Sequence, residues 1–281
     1  MQEPASPLAV FLFTLGFVAR HAWAILCRIA VPAILGGVAL YLLLAIYLSG
    51  LSDYLTRPSS GAASRVLGIG AVSVLVMLFF HTRLVSAVAE LLLGKRGESF
   101  LGIRRPEWRL YVANLQLLLI ICFYCGVFWP ANEFAGMLML SPPVRLGINV
   151  GLAAILAWIV LRAWFFLLPL CATTGERDLM IRAWQASAGH FWKIAFLVVL
   201  LLIPVIALHV GLQILLTQIQ VVPVFAPSMS IATALAMQRA LLLPSVLLLG
   251  GTYVFAAVLA TIASIRMYQI LAGSGTATVT S

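Results

Sequence analysis

Cys122 and Cys125 stand with two residues between them, the C-x-x-C spacing that holds a metal or cycles between dithiol and disulfide when it lies in a soluble loop. Here the pair sits about 14 residues past Trp108, inside a run without charge. At such a depth thiols act as small packing groups on one helix face. Cys27 and Cys171 also fall in or beside apolar runs, so none of the four reports on a redox compartment. The four histidines, His21, His81, His190 and His209, are too scattered to assemble a metal site by local spacing. The sequence holds no G-x-S-x-G, no H-E-x-x-H, no G-x-x-x-x-G-K and no G-x-G-x-x-G after a strand. A catalytic site, a cofactor and a bound metal are therefore not expected, and the chain does not read as an enzyme.

Ionisable groups inside apolar runs are the remaining candidates, because a charge near a bilayer centre costs about 2.5–3.5 kcal/mol or more. Arg162 lies sixteen uncharged residues beyond Arg145, about 24 Å along a helix, where its stem can snorkel toward the interface. Arg83 and Glu90 are seven residues apart and share a helical face, which fits an ion-pair network. His81 precedes Arg83 near the same interface, and His209 approaches the opposite one. No carboxylate falls at the centre of an apolar run, whereas cation-coupled transporters usually need one. Asn114, Gln116, Asn149 and Gln213 could bond between helices, at about 0.6 kcal/mol each. Gly147 and Gly151 form a small-xxx-small pair suited to close helix approach.

These residues must be positioned by elements that live in oil. Of 281 residues, 63% are hydrophobic and only 9% are charged, too few to cover a globule in water. Residues 29–52, 110–132, 194–238 and 240–265 contain no Asp, Glu, Lys or Arg. Runs near 20 apolar residues match the ~30 Å hydrocarbon layer. Ile194–Leu208 is apolar on every face, which excludes the alternating pattern of a membrane barrel. The expected fold is all-α and polytopic, one membrane domain over 1–281, with helices near 25–50, 65–86, 109–129, 145–170, 192–214 and 241–267. Leu51–Arg65 and Gly94–Arg109 read as loops. Pro130, Pro142 and Pro143 are expected to stop helices between Trp129 and Val144. Thr217–Leu243 is long and nearly uncharged, with a short helix between Ser228 and Arg239 joining two spans.

Charge bias orients the chain. Thirteen of the seventeen Lys and Arg residues fall on the side that holds both termini, and four fall opposite. The positive-inside rule puts that richer side in the cytoplasm. The net charge of +9 then marks contacts with anionic headgroups, and no nucleic-acid partner is implied. MQEPASPLAV lacks a basic start, so no cleavable signal is expected.

A repeat is legible in the tryptophans. Trp23, Trp108 and Trp192 are separated by 85 and 84 residues. Arg20-His21-Ala22-Trp23-Ala24-Ile25 resembles Gly189-His190-Phe191-Trp192-Lys193-Ile194, and Arg105-Pro106-Glu107-Trp108-Arg109-Leu110 is a looser copy. Each tryptophan starts an outward span as an interface anchor. Arg83, Arg162 and Arg266 stand near the inner ends of the returning spans, and Gly94 and Gly175 fit helix C-caps with positive φ. The reading is six transmembrane helices in three hairpins, each preceded by a short cytoplasmic-face amphipathic helix, over 6–93, 94–175 and 176–272.

The stretch Arg162–Pro204 carries a family resemblance. Its order is a span ending Leu167-Leu168-Pro169, then Gly175-Glu176-Arg177, Ala183-Trp184-Gln185-Ala186-Ser187, Gly189-His190-Phe191-Trp192, and an apolar span with Pro204. It is similar to a poorly characterised bacterial family of six-helix inner-membrane proteins, related to the membrane-anchor region of glycerophosphodiester phosphodiesterases. Gly94–Ser99 shares the likeness. The resemblance implies a lipid-linked or accessory role at the bacterial inner membrane and supplies no catalytic residues.

The resulting expectation is a non-catalytic protein that binds membrane lipid or a partner protein, as an accessory subunit of a membrane complex in the latter case. Arg104, Arg105, Arg109, Arg182 and Lys193 would meet anionic headgroups or a partner's acidic surface. The alternative is a transporter or channel for a small or amphipathic solute, since proline-interrupted spans (Pro32, Pro169, Pro204) and repeats are common there. A solvated cavity lined by Asn149, Gln116 or Gln213 would favour that alternative.

Overall fold

The computed structural model describes residues 6–57, 59–94, 105–137, 141–173, 178–218 and 242–271. All described elements are helical: α1 (Pro7–Thr56), α2 (Ser60–Leu92), α3 (Arg105–Met137), α4 (Pro142–Trp164), α5 (Leu167–Thr173), α6 (Leu179–Ala186), α7 (Phe191–Gln218) and α8 (Leu242–Leu271). Five stretches are long and apolar enough to cross a membrane, in α1, α2, α4 continued through α5, α7 and α8. The chain is thus an all-helical, multi-pass membrane protein. The third expected span falls in α3, whose first half carries Glu107, Arg109, Asn114 and Gln116 and which is not one of the five.

α1 shows how the sequence solves a length problem. Its 50 residues would extend ~75 Å, more than twice the hydrocarbon layer. The helix breaks at His21 (φ −112°, ψ 17°), in the bridge region between strand and helix. Its ring stacks on Phe17 with centroids 4.3 Å apart, and Nδ1 approaches the Phe17 carbonyl at 3.1 Å. A separate lead-in segment, Pro7 to Arg20, therefore precedes the long run, with Pro at its N-terminus where the missing N–H costs nothing. α6 is the corresponding lead-in before α7. Gly189, at φ +76°, makes the turn between them, and Gly94, at φ +65°, follows α2 as a C-terminal glycine should. Gly175 lies outside the described residues.

Buried side chains gather at one end of the bundle. They occupy the first halves of α1, α3 and α7 (Val10, Phe17, Ile25, Leu110, Leu117, Ile194, Leu197). From the other helices come the last turns: Val85 and Val88 of α2, Phe166 and Leu170 at α4–α5, Ile262 and Ile265 of α8. α8 is central, packing on α1, α2, α5 and α7. The opposite halves leave Ile46, Leu67, Phe123, Ile155, Ile206 and Leu247 exposed. Lipid is as apolar as leucine, so apolar faces gain no hydrophobic energy by meeting within it. The packed core lies at the end that carries most of the basic residues.

Several expectations are corrected. Leu51–Arg65 is mostly helix, because α1 runs to Thr56 and α2 starts at Ser60 on its Ser59 cap, whose Oγ accepts from Ala62 N. Pro130 does not stop a helix: it lies inside α3, as prolines can in membrane helices where neighbours satisfy the freed carbonyl. Pro142 and Pro143 instead start α4. Pro32 and Pro204 lie within helices, and the one non-helical residue of α1 is His21. Gly147 and Gly151 make no close helix approach among the described residues, since a Cβ at either would meet none of them within 4 Å. The close approach is at Gly36, where a Cβ would lie 3.2 Å from Phe80. The expected helix between Ser228 and Arg239 lies outside the described residues.

Candidate functional site

The packed end holds three arginines in related settings, each within the last three turns of one long helix and reaching either the first turn of another (Arg83) or a lead-in segment (Arg162, Arg266). Arg83 of α2 donates from Nη1 to Oε2 of Glu107 in the first turn of α3, and both side chains are about nine-tenths buried (10% and 11% exposed). Glu107 also benefits from the positive end of that helix. Arg83 thus has Glu107 as an ion-pair partner across helices, and it and Glu90 each hold further interactions. Arg266 of α8 lies 4.8 Å from the Phe13 ring of α1, a cation–π contact that joins the last long helix to the first lead-in.

Arg162 of α4 is held without a carboxylate among the described residues. Its Nη2 donates to the Trp184 carbonyl at 2.9 Å, and its Nε donates to Ser187 Oγ at 3.3 Å. Ser187, fully buried, donates in turn to the same carbonyl at 2.9 Å. That carbonyl needs a donor because α6 ends two residues later, leaving its last C=O groups without helical partners. Arginine capping of a helix C-terminus is electrostatically favoured. The guanidinium carbon stands 4.1 Å from the Trp184 ring centroid and 5.3 Å from that of Trp158, and the two indoles meet edge to face.

The tryptophans expected to be interface anchors are all exposed, Trp23 at 78%, Trp108 at 56% and Trp192 at 81%. Arg182 and Lys193 are exposed on α6 and α7, either side of the Gly189 turn. Arg109 is half-buried at the start of α3 and engaged with a neighbour. Arg105 opens α3, although its side chain, like all of Arg104, lies outside the described residues.

A small cavity of ≈ 30 Å³ lies between α2, α3, the α4–α5 junction and α8, room for about two waters. Its polar lining is His81, Asn114, Thr261 and Ser264. His81 is hydrogen-bonded through Nδ1 to the Tyr253 hydroxyl, tying α2 to α8, and His209 Nδ1 lies 3.3 Å from Thr252 Oγ1, tying α7 to α8. Gln116 and Gln213 are exposed, and Asn149 Oδ1 is buried without a hydrogen-bond partner among the described residues. Cys122 is exposed, outside the packed core, while Cys171 is buried in it; the Cys125 side chain lies outside the described residues. No cluster of metal-binding side chains occurs among the described residues.

Sequence reasoning missed Glu107, Phe13, Trp158, Trp184 and Ser187 as arginine partners. The one available signal was that Arg83 and Arg162 stand before the next lead-in or helix start; for Arg266, whose partner Phe13 is at the other end of the chain, there was none. No family model, curated protein or solved structure matches the chain.

Proposed function

We propose that the chain is a non-catalytic, six-span protein of the bacterial inner membrane, with α3 as the sixth crossing and both termini in the cytoplasm, whose basic face binds anionic lipid headgroups. The three hairpins would be the repeats 6–93, 94–175 and 176–272. The observation that carries this reading is the trio of outward-facing tryptophans, each within a few residues of a cation: Arg20 or Arg28, Arg109, Lys193. Indole rings prefer the headgroup level, and basic residues there gain roughly 1 kcal/mol each from anionic lipid. The likeness of Arg162–Pro204 to bacterial six-helix inner-membrane proteins points the same way. A partner protein with an acidic surface would use the same residues.

Spin-labelled phosphatidylglycerol and phosphatidylcholine, compared by electron paramagnetic resonance on the reconstituted protein, test the proposal. The native chain should select the anionic lipid in its motionally restricted shell. Charge reversal at Arg104 and Arg105 should reduce that selectivity; unchanged selectivity would count against lipid binding as the role of this face. A transporter would need a solute-sized cavity lined by Asn149, Gln116 or Gln213, and the cavity described above is water-sized and touches none of them.

A further inference from the structure

We infer that Arg162, with Trp158, Trp184 and Ser187, forms a discrete site for one phosphate group, presented by a phospholipid headgroup. This inference rests on the lipid-binding proposal and adds a particular place and stoichiometry to it. The comparison between corners of the bundle motivates it. Arg83 is neutralised by Glu107, but Arg162 occupies the corresponding position with two neutral acceptors and two indole faces. A guanidinium has five N–H donors. Two of Arg162's are used by Trp184 O and Ser187 Oγ, so three find no protein acceptor among the described residues.

The side chain is only partly exposed, so water alone solvates the remaining donors poorly. Burying a cation costs much unless an anion or full hydrogen bonding offsets it. A phosphate is the matching partner, because its oxygens accept two parallel N–H bonds from the planar fork. The indoles fix the plane of that fork, and Ser187 holds Nε from behind, so the open Nη edge is set before the ligand arrives. Trp158, one turn nearer the apolar part of α4, is 39% exposed. That places an apolar ring beside the glycerol and upper acyl region of a lipid whose phosphate meets Arg162. Lysine would supply the charge but neither the fork nor the stack.

Two measurements test the site. Native mass spectrometry of the delipidated protein, titrated with phosphatidic acid or phosphatidylcholine, should show one tightest-binding anionic lipid. Arg162→Gln should weaken that first binding step by roughly tenfold or more, the scale of a lost charge-assisted pair, and Arg162→Lys should restore only part of it. An unaltered first step in R162Q would overturn the inference.

Because R162Q also removes the α6 cap and so endangers folding, the second measurement uses the native chain. Arg162 is modified with phenylglyoxal and mapped by peptide analysis, with phosphatidic acid, phosphatidylcholine or inorganic phosphate present. Protection by phosphatidic acid alone supports a lipid headgroup. Equal protection by inorganic phosphate supports the phosphate site but assigns it to a free anion. No protection by either overturns it. Loss of bulk lipid selectivity on Arg104 and Arg105 reversal, with Arg162 protection intact, would separate this site from the wider basic face.

Discussion

Replacing Glu107 with glutamine keeps the side chain's shape and removes only its charge, leaving Arg83 facing a neutral amide between α2 and α3. Both side chains are nearly dry, at 10% and 11% exposure. Unit charges about 4 Å apart attract by about 4 kcal/mol at an effective dielectric of 20. Removing one partner of a buried pair typically costs about 3–5 kcal/mol, because the survivor stays desolvated. Arg83 keeps further interactions of its own, so the lower end applies, about 3 kcal/mol, or more than a hundredfold in the folding equilibrium. Arg83→Gln should lose a comparable amount. The double variant, with no orphan charge, should lose clearly less than the two singles combined. Reversible unfolding in mixed micelles with increasing dodecyl sulfate measures all three. If E107Q unfolded within about 0.5 kcal/mol of the parent, or if the two losses simply added, the pair would not be the strut between α2 and α3 described here.

The remaining predictions concern other joints of the bundle. Ser187→Ala removes a fully buried hydroxyl that links Arg162 to the Trp184 carbonyl, and should cost about 1 kcal/mol in the same unfolding assay. Gly189→Ala should also cost about 1–2 kcal/mol, purely through backbone strain at φ +76°, since a Cβ there meets nothing within 4 Å. Gly36→Val should lose about 1–3 kcal/mol by overpacking against Phe80, 3.2 Å from the new Cβ. Its neighbour Gly37, with open space at the Cβ position, should accept alanine without loss. In a Cys122→Ser, Cys125→Ser background, a maleimide should label exposed Cys27, one residue from Arg28, but spare buried Cys171, a pattern read directly by mass spectrometry.

The class of this protein was legible in the residues before any tertiary contact was known, because solvent choice is a matter of composition along the chain. Charge-free runs such as 194–238 leave no soluble option, and a helix is the local way to satisfy a backbone in oil. The lead-in segments at the start of α1 and before α7, the outward tryptophans and the Gly94 turn were legible for the same reason: each depends on neighbours a few residues away. Proline misled at Pro130, which was treated as a stop and lies inside α3, whereas Pro32 and Pro204 lie within their spans as expected. Tertiary structure alone decided which groups meet across helices. Arg83 finds Glu107, 24 residues on, a partner on another helix that same-face spacing could not show. Arg162 finds an indole, a hydroxyl and a helix-end carbonyl where no carboxylate is described, and Gly147 and Gly151 face open space while Gly36 packs. Those outcomes depend on rotations and offsets between helices, which a helical period leaves free and only packing fixes.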